Sequence, residues 1–394
     1  MIGALLSEQD RDTYEILIRG TLRDAVRARV RDVTEQSEAA KAAFTAAEKN
    51  LRTVWTAAHT VGMSFESLPI RPEDQASVHV NRETLVALKE LAVRRGHDPD
   101  EVAQELGVSV IPQGALGSIM SALQNGKTRN FRQEFASLPP GERENLTPAI
   151  RILLLGADRD VVRAELAIAQ SSEGKERAHA VEARLRAGED FTIIADAAQA
   201  LGINPVEISP ETPAETHVTR EKVVALRELG KLKPDTTEKP AIPVPSQGGL
   251  GEIFKAMQEV DTQLTDFSRH AENAALRGHL EMLLLGARRD AIKAEVAAAK
   301  NGNEGVQQRA RRDYNLIVDA ASDLQINPAQ IVPDTAGKAH VTRELIAASQ
   351  DLPPQRREEV LQSVNTNGGL NKVFQQLAKG DAPEMGAGKA AARG

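Results

Sequence analysis

The chain has no cysteine, which excludes disulfides, thiol catalysis and cysteine-based zinc sites. Aromatic residues are scarce, with one Trp, two Tyr and eight Phe among 394 residues. A core must then be built from Ala, Leu, Ile and Val, which suits closely packed helices. Apolar runs such as Ile152–Leu155 are far too short to span a bilayer. The net charge of −7 argues against a generally basic nucleic-acid binder and leaves only local basic stripes open. Met1–Leu6 has neither the charged n-region nor the length of a secretory signal. The expected location is therefore the cytoplasm, or outside the cell by a route that reads another signal. Signatures of chemistry are missing too: the sequence has no G-x-x-x-x-G-K-[ST], no H-E-x-x-H, no G-x-S-x-G, and no G-x-G-x-x-G after a strand. No enzymatic activity and no cofactor or metal are expected.

What the chain does have is repetition. RGTLRDAVRARV around Gly20 returns as LGADRDVVRAEL around Gly156 and LGARRDAIKAEV around Gly286. VHVNRE from Val78 returns as THVTRE from Thr216 and AHVTRE from Ala339. GALGSIM from Gly114 returns as GGLGEIF from Gly248 and GGLNKVF from Gly368. The markers recur every 120 to 138 residues, so one unit is used three times. That length is typical of a domain and well above the 20 to 50 residues of a solenoid repeat. The expected fold is all-α, with three tandem homologous helical domains at 1–136, 137–266 and 267–380, each burying its own core. Residues 381–394, small and polar, are expected to form a disordered tail.

Within a unit, periodicity predicts four principal helices. The first carries the Arg-Asp pair and a glycine (Gly20, Gly156, Gly286), which costs about 1 kcal/mol against alanine in a helix. Its presence in every copy predicts a close helix crossing or a kink. The second has Leu51, Val54, Trp55, Ala58 and Val61 on an apolar face, matched by Phe191–Leu201 and Tyr314–Leu324. Trp55 is expected in the core. Gly62 and Gly202 fit left-handed caps, with Gln325 a weaker third. The third helix is expected to start at Asn81, Thr219 and Thr342 as N-caps, stapled by the preceding valine. The fourth follows the paired glycines. Between the third and fourth, short helices are expected near Asp100–Leu106 and Gln355–Ser363, with a proline-rich loop in the second copy.

Three features compete as functional sites. Ala195–Ile208 resembles the first helix and turn of a helix-turn-helix, but Pro210 arrives where a recognition helix must begin, and no base-reading cluster follows. His79, His217 and His340 stand in register and are expected to play structural roles in loops ahead of the third helix. The basic pairs Arg23 and Arg27, Arg159 and Arg163, and Arg289 and Lys293 are four apart and share a helix face. With Asp24, Asp160 and Asp290, three before the second basic residue, they are expected to make i,i+3 ion pairs on a solvated face, worth a few tenths of a kcal/mol. Read functionally, they are a basic spot offered three times to an acidic protein partner, with nucleic acid, phosphates or anionic lipid less favoured. The expected function is a non-enzymatic scaffold or adaptor, of the kind a bacterial secreted effector uses to hold a protein. The alternatives are a nucleic-acid- or phosphate-binding protein, and a phage or cell structural component.

Overall fold

A computed structural model describes residues 8–63, 70–106, 111–233, 240–259, 262, 264, 266–366 and 368–380. Met1–Leu6 and the tail from 381 lie outside them. The described residues form fifteen α-helices and no strand. The three Arg-Asp helices are the long ones: α1 (Glu8–Glu35), α7 (Pro140–Gln170) and α11 (Ala274–Asn301). Each turns back into a hairpin partner, α2 (Glu38–Thr60), α8 (Lys175–Ala200) or α12 (Glu304–Asp323). The His-Val helices are α3 (Gln75–Arg95), α9 (Pro213–Leu232) and α13 (Ala336–Ser349). The glycine-led helices are α5 (Gly114–Asn125), α10 (Gly248–Gln258) and α15 (Gly368–Lys379). Between third and fourth helices lie α4 (Pro99–Glu105) in the first copy and α14 (Pro354–Gln362) in the third, as expected, and the described residues of the second copy form no helix there. The short α6 (Phe131–Ala136) precedes α7.

The His-Val helices start earlier than the sequence suggests. Their caps are Asp74, Thr212 and Thr335, whose side chains accept from the backbone N–H groups of Ser77, Glu215 and Lys338. Asn81, Thr219 and Thr342 are therefore interior residues, about two turns into the helix and buried. A good N-cap type is not unique to a cap, and the upstream cap satisfies the same free N–H groups. On the hairpin helices, Val54, Ile194 and Ile317 are buried as expected, but Trp55 is 45% exposed. Its position lies at the edge of the apolar stripe, where Ala195 and Val318 are also only half buried.

The apolar cores are out of phase with the sequence repeat. One gathers α3, α5, α6, α7 and α8, through residues such as Leu88, Ile119, Phe135, Leu153 and Ile194. A second gathers α9 to α12 through Val223, Phe254, Leu283 and Ile317. The third joins the two ends of the chain: Leu17, Ile18, Val54 and Ala58 of α1 and α2 pack with Leu345, Val360, Phe374 and Leu377 of α13 to α15. Each core is thus a His-Val helix followed by the next Arg-Asp hairpin, and the last is completed by the N-terminal hairpin. The interval 137–266 contributes to two different cores.

The hairpin helices end as the glycines suggest, with Gly62 at φ +84° and Gly202 at φ +78°. In the third copy Gln325 takes the same left-handed conformation at φ +57°, and the amide of Ile326 donates to Ala321 as Met63 does to Ala58. A side chain there strains the backbone by about 1 kcal/mol. Gln325→Gly is expected to raise stability by about 0.5–1 kcal/mol in denaturant titration, with no change in helix content.

A three-fold charge ring as candidate site

The Arg-Asp helices meet at one place. Arg23, Arg159 and Arg289 are buried, each at most 3% exposed, and Glu83, Glu221 and Glu344 lie between them. Arg23 donates to Glu83 and to Glu344, each at 2.5 Å. Arg159 donates to Glu83 at 2.9 Å and Glu221 at 2.6 Å. Arg289 donates to Glu221 at 2.9 Å and closes the circuit on Glu344. Three arginines and three glutamates thus alternate in a closed ring, each group bridging two of the other kind.

A second layer locks each ring arginine. Its neighbour Asp24, Asp160 or Asp290 accepts from it at 2.7–2.8 Å. The same aspartate accepts from an arginine of a His-Val helix, through the pairs Arg343–Asp24, Arg82–Asp160 and Arg220–Asp290 at 2.5–2.8 Å. Each ring arginine also lies 3.1–3.2 Å from a histidine Nε2: His340 for Arg23, His79 for Arg159, His217 for Arg289. A guanidinium only donates, so the imidazole must accept and carry its proton on Nδ1. Burial pushes the histidines far down, His79 to about 3 and His217 to about 4, despite the adjacent glutamates. His340 follows the same direction for the same first cause. Burial alone would raise the ring carboxyls, yet the arginines around them hold all three well below the usual range.

The repeated glycines make the crossing possible. A Cβ on Gly156 would stand 3.1 Å from Arg82 Nη1 and 3.3 Å from His79 Nδ1. On Gly286 it would meet His217 at 3.0 Å, and on Gly20 the Arg343 guanidinium at 2.6 Å. The expected close crossing is therefore a side-chain crossing, in which glycine opens a slot for the arginine and histidine of the preceding unit. No known family, curated protein or solved structure matches the chain.

Of the six basic residues picked from the sequence, all converge here, but in two roles. Arg23, Arg159 and Arg289 are consumed by the ring and are not solvated. Arg27 and Arg163 are 44% and 42% exposed at the side chain and touch Glu83 and Glu221 from outside, at 3.1 and 3.2 Å. Lys293 is exposed at the equivalent position, and no ion pair holds it among the described residues. Desolvation by the cavity walls and the nearby Arg289 lower its pKa. These three rim a polar cavity of about 230 Å³ over the ring, lined also by the three histidines and glutamates. The histidines sit in helices, not loops, so His79 and Glu83 share a face at i,i+4, as do His217 with Glu221 and His340 with Glu344. No cluster of metal-ligating side chains occurs among the described residues. The helix-turn-helix look also resolves: α9 does follow, with Pro213 in its first turn, but residues 215–223 are buried in this assembly.

Sequence reasoning missed Arg82, Arg220 and Arg343, and it missed the glutamates as ring members. The signal was the i,i+4 His-Glu spacing and the helical glycine kept in all three copies.

Arg159→Met leaves buried Glu83 and Glu221, and half-buried Asp160, short of a cation, and is expected to cost about 3–5 kcal/mol in urea unfolding. Arg163→Met, one turn away but exposed, is expected to cost under about 1 kcal/mol. Acid destabilises the fold through the buried histidines. An unfolded histidine takes a proton near pH 6.5, whereas the folded protein holds the three neutral to far lower pH. Below pH 6.5 the unfolded chain binds more protons, so stability falls with pH by up to about 1.4 kcal/mol per unit per histidine. The ring carboxylates, depressed in the fold, add a further loss below about pH 4.5. Replacing the three histidines with Asn is expected to move the onset of acid destabilisation from near pH 6.5 toward 4.5, measured as urea midpoints against pH.

Proposed function

We propose that this protein is a non-enzymatic binding protein that holds one anionic ligand at the mouth of the charge ring. The observation that carries the reading is the charge count at the centre. Six arginines of the two layers face six carboxylates, and Arg27, Arg163 and Lys293 are left over as an excess of three positive charges at the solvent-facing rim. The planar arginine fork favours partners it can bind in a bidentate fashion, such as phosphate and carboxylate. The other ionisable groups here are spent on each other, which leaves no free acid or base pair for catalysis.

Convergence also changes what an adaptor of this kind would do. Three basic spots on separate surfaces would recruit a partner three times over. Three cations at one mouth hold one anionic ligand, so one chain engages one partner. An extended nucleic acid requires a stripe of cations along a face; a single mouth on a chain of net charge −7 does not offer one.

The test is calorimetric titration with inorganic phosphate at low ionic strength. Saturable 1:1 binding is expected, weakening as salt rises. The triple variant Arg27→Gln, Arg163→Gln, Lys293→Gln is expected to fold with the parental circular dichroism and to lose binding. A triple variant that binds as well as the parent rejects the mouth as the site.

A further inference from the structure

We infer that the ligand of this mouth is a compact polyanion carrying three phosphoryl groups, and that it acts as a clamp that holds the N-terminal hairpin in place. The inference rests on the anion-binding reading above and goes further, to valence and consequence. Arg27 stands on α1, Arg163 on α7 and Lys293 on α11, so the three rim cations belong to three different packing units. A single anion can satisfy one of them fully; a ligand with three groups can satisfy all at once. Two of these cations already touch a ring glutamate, at 3.1 and 3.2 Å, and a ligand must outbid that carboxylate. A phosphoryl group, with three acceptor oxygens and up to two charges, does so better than a carboxylate. The cavity, about 230 Å³, exceeds the roughly 150 Å³ that accommodates benzene in a protein interior, so a compact polyphosphate is not too large for it.

The clamp follows from the seam. Two units are stitched by buried ion pairs between the His-Val helix and the hairpin helix, Lys89–Asp190 at 2.7 Å and Arg227–Asp313 at 2.6 Å. At the same place in the third, Gln350 and Asn50 exchange neutral amide hydrogen bonds of 3.0–3.3 Å. This third unit is the one built from the two chain ends. At this position the α1–α2 hairpin is therefore held to α13 by neutral hydrogen bonds instead of a buried ion pair. A ligand that bridges Arg27 to Arg163 and Lys293 ties α1 to both other Arg-Asp helices.

The experiment uses the full chain with cyclic trimetaphosphate, linear triphosphate, inorganic phosphate and citrate at matched ionic strength, read by calorimetry and by amide hydrogen exchange. Linear triphosphate is the main probe because its terminal groups carry three acceptor oxygens and up to two charges; trimetaphosphate, with two terminal oxygens and one charge per group, separates a cyclic source from a chain-like one. The expected result is 1:1 binding of linear triphosphate at least tenfold tighter than phosphate or citrate, with trimetaphosphate between them. Single replacements Arg27→Gln, Arg163→Gln and Lys293→Gln are each expected to weaken it about fivefold or more. Exchange in α1 and α2 is expected to slow more than in α7 and α8. Phosphate binding as tightly as the polyphosphates, with one rim residue sufficient, overturns the three-group ligand while leaving a simple anion site. Citrate matching the polyphosphates overturns the phosphoryl assignment. Tight polyphosphate binding without slowed exchange in α1–α2 overturns the clamp. No binding of any probe overturns the anion reading itself.

Discussion

The alternating ring of Arg23, Glu83, Arg159, Glu221, Arg289 and Glu344 is the constraint on which the rest of the molecule depends. Burying six charges is costly, and a single ion pair in an interior seldom repays its desolvation. A closed circuit changes the terms, because every carboxylate faces two guanidiniums and every guanidinium faces two ring carboxylates and an aspartate. Such a network is rewarding only when complete, and a missing member leaves an uncompensated charge. The ring therefore favours one arrangement of three Arg-Asp helices over looser packings that apolar cores of similar composition would tolerate.

The same geometry accounts for several features that otherwise look unrelated. A glycine in the middle of a long helix weakens that helix, yet here it admits the arginine and histidine of the unit before. The histidines are neutral because burial excludes the charged form, and a neutral imidazole can accept from an arginine where an imidazolium cannot. The aspartate after each ring arginine joins the inner ring to the outer arginines. Each unit thus supplies a socket to one neighbour and a plug to the next, and the N-terminal hairpin supplies the plug for the last socket.

The substitution of Gln350 and Asn50 for an ion pair shows how the copies diverged without losing complementarity. Both partners are neutral where both were charged, so no charge is buried alone. The change falls at the junction of the two chain ends, where the closure is non-covalent.

Much of the helical framework was legible in the chain. Helical periodicity, the left-handed caps at Gly62 and Gly202, and the short helices α4 and α14 depend on residues close in sequence, and local patterns report them well. The six basic positions were also legible, since spacing of four places them on one helix face. What the sequence by itself could not determine was where those faces pointed. Arg159 and Arg163 read as equivalent, yet one is sealed between two glutamates while the other reaches solvent. His79 read as a loop residue because Asn81 resembles a cap, and only the upstream cap at Asp74 shows it within a helix. The pairing of α1 with α13, more than 300 residues apart, has no local signal. Local structure follows from interactions a few residues long, which composition and spacing encode. The ring is a contact among charges from three units, and it exists only once apolar packing has brought the two ends of the chain together.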